Sequence, residues 1–240
     1  GFEASGITAG LKASKKPDLA LLLAPEGAIC AGTFTQSSAK AACIDLCKER
    51  LNKTNGRVRA VLINSGQANC FTGDRGWTDS LLATEALANR LQLNQDQVLI
   101  CSTGVIGEPI PMQKLINGLD LLVKKLNKAG GDDAASAILT TDLIEKKIAF
   151  EAVLGGRKVR IGGMAKGSGM IHPNMATMLA FLTCDAGIPS DVWAAMIKRV
   201  TNSSFNAITV DSDTSTNDAY IAFSAGEVLH ENYLNALERG

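Results

Sequence analysis

The segment that spans residues 162–179 constrains the fold most strongly. It reads GGMAKGSGMIHPNMATML, with four glycines in its first eight residues. Glycine allows positive φ angles and close backbone approach, whereas Pro173 stiffens the chain that follows. Residues 178–183 then form an uninterrupted apolar run, which is typical of a buried strand. We therefore expect a lysine-bearing glycine loop that enters the core directly, with Thr177 at the junction.

Length and charge limit the classes of function. The chain has 240 residues, enough for a full core in one or two domains. Its 24 Lys and Arg residues balance 24 Asp and Glu residues, so we expect neither nucleic acid nor a membrane surface as partner. No apolar run reaches the length of a membrane span and no signal peptide opens the chain. These features favour a cytoplasmic protein.

Cysteine and histidine usage argues against several kinds of site. The six cysteines are scattered without a CxxC pair, as in ordinary cytosolic proteins with buried thiols. There are only two histidines, His172 and His230, so a His-rich zinc site is not expected and we predict no metal. A Ser-His-Asp mechanism is also disfavoured, because His172 would have to be its base.

Hydrophobic patterning predicts interleaved strands and helices. The predicted strands cover residues 19–23, 28–35, 58–63, 98–101, 148–152, 159–161, 178–183 and 205–210. The predicted helices cover 78–93 (capped by Thr78 or Asp79), 111–126, 132–139, a segment capped by Ser190, and a fragment within 227–240. Because the two types alternate irregularly, we expect a layered α/β sandwich rather than a doubly wound sheet.

Three polar segments follow predicted strands. Residues 64–69 are either a site loop or a plain strand-to-helix connection. Residues 102–104 end a strand with backbone N–H groups from which an oxyanion hole can be built, although most such turns stabilise nothing. The acidic segment 211–218 lacks the Gly and Glu of a calcium loop, having Thr216 and Ala222 there, and is expected to be a side-chain-capped turn. The glycine loop is not a P-loop, because no GxxxxGK precedes it.

Thr177 is the candidate nucleophile. A threonine hydroxyl needs a base to take its proton, and a threonine at the start of a chain has its own α-amine for this purpose. The ordinary pKa of that amine is about 7.7–8.0, so a useful fraction is neutral at cellular pH. Attack by Thr177 on the Ala176 carbonyl would cut the chain and create the amine.

Several motifs together resemble one family, the ornithine acetyltransferases, which are the bifunctional glutamate N-acetyltransferases of arginine biosynthesis. The central motif is KGSGMI at 166–171 followed by PNMATML at 173–179, which resembles the family's self-cleavage site. The others, in order, are ASGITAGLK (4–12), NSG (64–66), STGVIGEP (102–109), TTD (140–142), and FN (205–206) through DTSTND (213–218).

The resemblance implies specific residue roles. Cleavage between Ala176 and Thr177 would give an α-chain region, 1–176, and the start of a β-chain region, 177–240, within one incomplete catalytic domain. Thr177 would be the acetylated nucleophile, Thr103 and Gly104 the oxyanion hole, and Thr140 and Lys166, with Thr177, substrate-binding residues. A lysine suits substrates that are amino acids with an α-carboxylate.

The resemblance also implies the reaction and the assembly. In a ping-pong cycle, N2-acetylornithine acetylates Thr177, ornithine leaves, and glutamate accepts the acetyl group. No cofactor is expected, and acetyl-CoA is left open as a second donor. The implied fold is an α-β-β-α sandwich, and the implied assembly is a heterotetramer of two α and two β chains. Family members continue beyond Gly240 with further pocket residues, so we expect the isolated chain to be nearly inactive.

Two alternatives stay open on the sequence. The first is a hydrolase on the same self-cleaving scaffold, similar to aminopeptidases with a chain-starting Ser or Thr, in which water resolves the acyl-enzyme. The Thr103–Gly104 and Lys166 contexts favour transfer. The second is a non-catalytic ligand-binding or assembly domain, which predicts neither cleavage nor an acyl adduct.

Overall fold

Two β-sheets form the centre of the computed structural model, which describes residues 1–154, 156–170, 178–211 and 213–226. The first contains β1 (Glu3–Ile7), β2 (Leu19–Leu23), β4 (Ala60–Gln67) and β5 (Val98–Val105). The second contains β3 (Ile29–Phe34), β6 (Lys146–Leu154), β7 (Arg157–Lys166), β8 (Leu179–Cys184) and β9 (Ala219–Ser224). The strand order is β1-β2-β4-β5 in the first sheet and β3-β9-β8-β7-β6 in the second. The β4/β5 and β8/β9 pairs are parallel, and the others are antiparallel.

Helices cover the sheets. They are α1 (Ala42–Thr54), α2 (Gly73–Leu91), α3 (Met112–Lys124), α4 (Gly131–Ala137) and α5 (Ser190–Ser203), with 3₁₀ turns at Gln95–Gln97 and Phe205–Ala207. Helices α1 to α4 contact the first sheet, and α5 contacts β3 and β9 of the second. Alternate β9 side chains face opposite ways: Ile221 joins the core between the sheets, and Ala222 joins the cluster beneath α5. The layered α/β sandwich is confirmed.

Most predicted elements are present, but several boundaries were wrong. Strands β4 and β5 continue through Asn64–Gln67 and Ser102–Val105, which we had expected to be loops. Residues 162–166 belong to β7, so Lys166 ends a strand and does not lie in a glycine loop. The strand includes these glycines because β7 is hydrogen-bonded on both sides, to β6 and to β8. This pairing keeps even Gly162 and Gly163 extended.

Helix starts and one strand also differ from the predictions. Helix α2 begins at Gly73, so neither Thr78 nor Asp79 caps it. Ser190 is the first residue of α5, and its hydroxyl donates to the Asn55 carbonyl instead of capping the helix. Residues 205–210 form no strand, because Phe205 starts a 3₁₀ turn. Elements β1, α1 and β9 were not predicted, and the helical fragment expected within 227–240 lies outside the described residues.

No helix in the described ranges combines the length and the apolar character that crossing a membrane requires.

Candidate functional site

The carboxyl ends of β4 and β5 pack against each other at a pair of glycines. Gly66 and Gly104 are paired across these strands, and Gly104 has a φ of 133°. A Cβ at Gly104 would lie 2.2 Å from the carbonyl carbon of Gly66, so no larger residue fits without moving the backbone. The buried Thr103 precedes this glycine. The sequence therefore fixes Thr103 and Gly104 on the wall of a cleft at the end of the first sheet.

Lys166 reaches the same cleft from the last position of β7. Its side chain is only 3% exposed, and its Nζ donates to Thr140 Oγ1 over 3.3 Å. Burial lowers the pKa of Lys166 to about 8, although the charges of Asp142 and Asp218 raise it. An ammonium in this position can bind an anionic group of a ligand.

Asp142 fixes the segment that contains Thr140 against the end of β7. Its Oδ1 accepts the Gly167 N–H at 2.8 Å and an ion pair from Lys146. The Thr141 and Ser168 hydroxyls are hydrogen-bonded at 2.7 Å. Burial raises the pKa of Asp142, but these hydrogen bonds from Lys146 and Gly167 outweigh it and the pKa lies below its ordinary value. Thr140 and Lys166 are therefore held by the same small network.

Asp218 is buried beside Lys166 and binds the start of β8. Its Oδ1 accepts the N–H of Met178 at 2.8 Å, and Ala219 donates to the Met178 carbonyl at 3.1 Å. Among the described residues, no group donates to Asp218 Oδ2. Burial raises the pKa of Asp218 to about 7, because the hydrogen bonds from the Met178 N–H and the Ser215 side chain, together with the charge of Lys166, oppose it only in part. Met178 directly follows Thr177 in the chain.

Asn217 joins the two sheets at this end of the molecule. Its Nδ2 donates to the carbonyls of Ser102, at 2.9 Å, and Ala68, at 2.5 Å. Its backbone N–H donates to Ser215 Oγ at 3.1 Å, so this part of the acidic segment is a side-chain-capped turn as predicted. The turn thereby positions Asp218 relative to the Thr103–Gly104 wall.

The cleft brings together four of the predicted site residues. It has a volume of about 720 Å³, and its walls include Thr103, Gly104, Thr140, Lys166, Lys12, Gly66 and residues 213 and 215–217. The predicted nucleophile Thr177 and its neighbour Ala176 lie outside the described residues. Residue patterns alone gave no role to Lys12, Asp142 or Asp218. For Asp218 the available signal was its place directly before the apolar run 219–223, in a segment for which only a side-chain-capped turn was expected.

Comparison with known proteins decides the family. The profile of the ArgJ family matches residues 3–239. An "Arginine biosynthesis bifunctional protein ArgJ" of the cyanobacterium Prochlorococcus marinus is 68% identical over 240 residues, which is 100% of this chain and 58% of that protein. The chain belongs to the ArgJ family. It spans a little over half the length of the curated ArgJ proteins that it matches.

Two ArgJ-family crystal structures resemble the chain. ArgJ from Bacillus halodurans is 37% identical, with a TM-score of 0.66 over 73% of this chain and 91% of that one. Ornithine acetyltransferase from Mycobacterium tuberculosis, complexed with ornithine, is 38% identical, with a TM-score of 0.64 over 72% and 91% of the two chains.

A more distant structure shows how widely the fold occurs. The L-aminopeptidase D-Ala-esterase/amidase of Ochrobactrum anthropi, described as a variant of the Ntn hydrolase fold, has a TM-score of 0.55 over 93% of this chain and 71% of that one. At 12% identity this likeness concerns the fold alone. This likeness agrees with the fold of the ArgJ structures, and it gives no evidence for hydrolysis over acetyl transfer or the reverse.

Proposed function

We propose that the chain belongs to an acetyltransferase that moves the acetyl group of N2-acetylornithine to glutamate through an acetyl-Thr177 intermediate. One observation supports this above the others. The candidate oxyanion hole at Thr103–Gly104 and the Lys166–Thr140 pair face one cleft, and Asp218 beside them binds the residue that follows Thr177. Because Thr177 is covalently joined to Met178, this hydrogen bond restricts where the nucleophile can lie.

The proposed cycle begins with self-cleavage. The Thr177 hydroxyl adds to the Ala176 carbonyl, the peptide C–N bond breaks, and water hydrolyses the resulting ester. Residues 1–176 then end in a carboxylate, and Thr177 begins a second chain with an α-amine. That amine takes the proton of the Thr177 hydroxyl during acyl transfer.

The acyl-transfer steps use the rest of the cleft. The Thr103 hydroxyl and the Gly104 N–H would donate hydrogen bonds to the oxyanion that forms when Thr177 attacks the acetyl carbonyl. Lys166 and Thr140 would bind the α-carboxylate of the amino-acid substrate. Ornithine leaves, and the glutamate amine attacks the acetyl ester to give N-acetylglutamate. No cofactor takes part, acetyl-CoA would be an additional donor, and two α and two β chains would form the assembly.

Intact-protein mass spectrometry of the full-length protein, with and without N2-acetylornithine, tests this function. We expect two fragments separated at Ala176–Thr177, and an acetyl adduct on the second fragment after incubation. The Thr177→Ala variant should give one uncut chain without an adduct. Cleavage followed by release of free acetate, with no transfer to glutamate, would indicate a hydrolase instead. A wild-type chain that is neither cut nor acetylated would overturn the mechanism.

A further inference from the structure

Lys12 is a second lysine in the cleft, and its ammonium is bound by backbone carbonyls. Its Nζ donates to the carbonyls of Pro17, at 2.7 Å, and Leu139, at 2.6 Å. Neither Lys12 nor Lys166 forms a salt bridge with a carboxylate in the part of the chain that the structure describes. An ammonium has three N–H donors, so with respect to the described residues Lys12 has one donor left for a ligand and Lys166 has two.

The backbone around Lys12 holds this side chain in place before any ligand binds. The fully buried Asp18 carboxylate accepts the N–H groups of Ala9 and Leu11, each at 2.6 Å, and of Lys12 at 3.0 Å. The Lys12 stem lies beside Gly66, since a Cβ built there would be 3.5 Å from Lys12 Cγ. Gly66 in turn is the β4 partner of Gly104. Lys12 is therefore a fixed charge close to the candidate oxyanion hole.

The two lysines lie close to each other. Lys12 is hydrogen-bonded to Leu139 and Lys166 to Thr140, which are consecutive residues. Both lysines line the same cleft, and among the described residues of its wall Asp213 is acidic. The charge of Asp18 also acts on Lys12, and the charges of Asp142 and Asp218 act on Lys166, but none of these three carboxylates lines the cleft. Two half-buried or buried ammonium groups with unused donors favour a ligand that carries two separate negative groups.

We propose that Lys12 binds the side-chain carboxylate of the acceptor, an amino dicarboxylic acid, while Lys166 binds its α-carboxylate. This inference rests on the proposed acetyl transfer to glutamate and assigns the acceptor specificity of that site. The donor has a cationic rather than anionic side chain, because its side-chain amine is free both in N2-acetylornithine and in the ornithine that leaves. A positive charge at Lys12 therefore favours the acceptor over the departing product, which is useful in a ping-pong cycle that uses one cleft.

The test compares glutamate with glutamine, its neutral isostere, as acceptors for the acetylated full-length enzyme. In Lys12→Met we expect the ratio of kcat/KM for glutamate to that for glutamine to fall about 10- to 100-fold, the factor for a hydrogen bond between charged groups. Formation of the acetyl-enzyme from N2-acetylornithine should change much less. Lys12→Arg, which keeps the charge, should retain most of the preference for glutamate.

Lys114→Met is the matched control. Lys114 of α3 also binds the segment 9–12 that contains Lys12, because its Nζ donates to the Gly10 carbonyl at 2.9 Å. Lys114 does not line the cleft. Its removal should leave the glutamate-to-glutamine ratio unchanged. If Lys12→Met does not fold, Lys12→Gln, which keeps a donor for Leu139, provides the same comparison.

The possible results separate this proposal from the function on which it rests. An unchanged ratio in Lys12→Met, or an equal loss with both acceptors and with the donor, would overturn the role of Lys12 and leave the transferase intact. A wild-type enzyme that forms no acetyl-Thr177 would instead overturn the proposed function itself.

Discussion

Asp218 is in surroundings that disfavour its charged form. It is 1% exposed, its Oδ1 binds the Met178 N–H, and burial raises its pKa to about 7. In the unfolded chain the same carboxyl titrates near pH 3.9. The folded state therefore binds more protons than the unfolded state between about pH 4 and 7. The contribution of this carboxyl to the free energy of unfolding is therefore fully present below about pH 4 and is lost as the pH rises to about 7.

Asp218→Asn should remove that pH dependence. Asparagine keeps an oxygen for the Met178 N–H but has no charge to bury. The free energy of unfolding of the variant minus that of wild type should rise by about 2–4 kcal/mol as the pH increases from 4.5 to 7.5. Lys12 and Lys166, whose pKa values are about 8, are still mostly protonated at pH 7.5 and are present in both proteins, so they add little to the difference. Urea denaturation at several pH values measures the difference. Thr177→Ala is added to both proteins, with and without Asp218→Asn, so that neither is cut.

An exposed carboxylate supplies the control for Asp218. Asp120 is 77% exposed and pairs with Arg90, which holds the pKa of Asp120 below its ordinary value. Asp120→Asn should therefore show no gain in stability as the pH rises. Parallel stability curves for wild type and Asp218→Asn would show that the buried carboxyl does not titrate in this range.

At the scale of elements, the close approach of β4 and β5 depends on Gly104. A Cβ there would meet the Gly66 backbone at 2.2 Å, and the φ of 133° disfavours any other residue. Gly104→Ala should therefore separate the strand ends and lower the free energy of unfolding by about 3 kcal/mol or more. Thermal or urea unfolding of the uncut chain measures this loss.

Gly107→Ala separates steric crowding from backbone strain. Gly107 also has a positive φ, of 86°, but a Cβ there would have nothing within 4 Å. Its replacement should cost only about 1–2 kcal/mol, from the φ angle alone. Equal losses in the two variants would show that the Gly66–Gly104 contact does not limit the packing of β4 against β5.

The same strands show what the sequence could and could not predict. Their apolar halves, such as Val98–Cys101, were predicted because uninterrupted apolar runs indicate buried strands. Their polar halves were missed, because polar side chains in a strand are stable only if distant groups satisfy them. Here Ser102 Oγ donates to Asn64 at 2.7 Å and Ser65 Oγ to the Ala137 carbonyl at 2.5 Å. Such partners are set by the tertiary fold and have no local pattern.

Tertiary contacts also explain why the strand predicted at 205–210 is absent and why Asp218 was not predicted as a site residue. Phe205 packs edge-on against Tyr220 with ring centroids 5.1 Å apart, and residues 205–207 turn there as a 3₁₀ helix. Thr103, Gly104, Thr140 and Lys166 were identified through the family resemblance, and the structure brings them to one cleft. The sequence places Asp218 in the DTSTND motif without indicating a role, because its partner, the Met178 N–H, lies 40 residues earlier in the chain.

At the scale of the whole molecule, one apolar core joins the two sheets. Phe223 of β9 is 1% exposed and belongs to the same cluster as Leu21 and Leu62 of the first sheet. Its ring lies 6.4 Å from that of Phe2. The first sheet holds Thr103 and Gly104, while the second holds Lys166, so this core also fixes the two walls of the cleft relative to each other.

Phe223→Ala should therefore destabilise both layers together. We expect a loss of about 3–5 kcal/mol from the cavity and the lost burial, against less than about 0.5 kcal/mol for Phe71→Ala, whose ring is 71% exposed. The two tryptophans report on different layers: Trp77 lies on α2 and Trp193 on α5. In Trp77→Phe and Trp193→Phe backgrounds, the remaining fluorescence should show coincident urea transitions that Phe223→Ala shifts by the same amount. A shift confined to Trp193 would mean that the second sheet unfolds separately and that the shared core does not couple the two walls of the site.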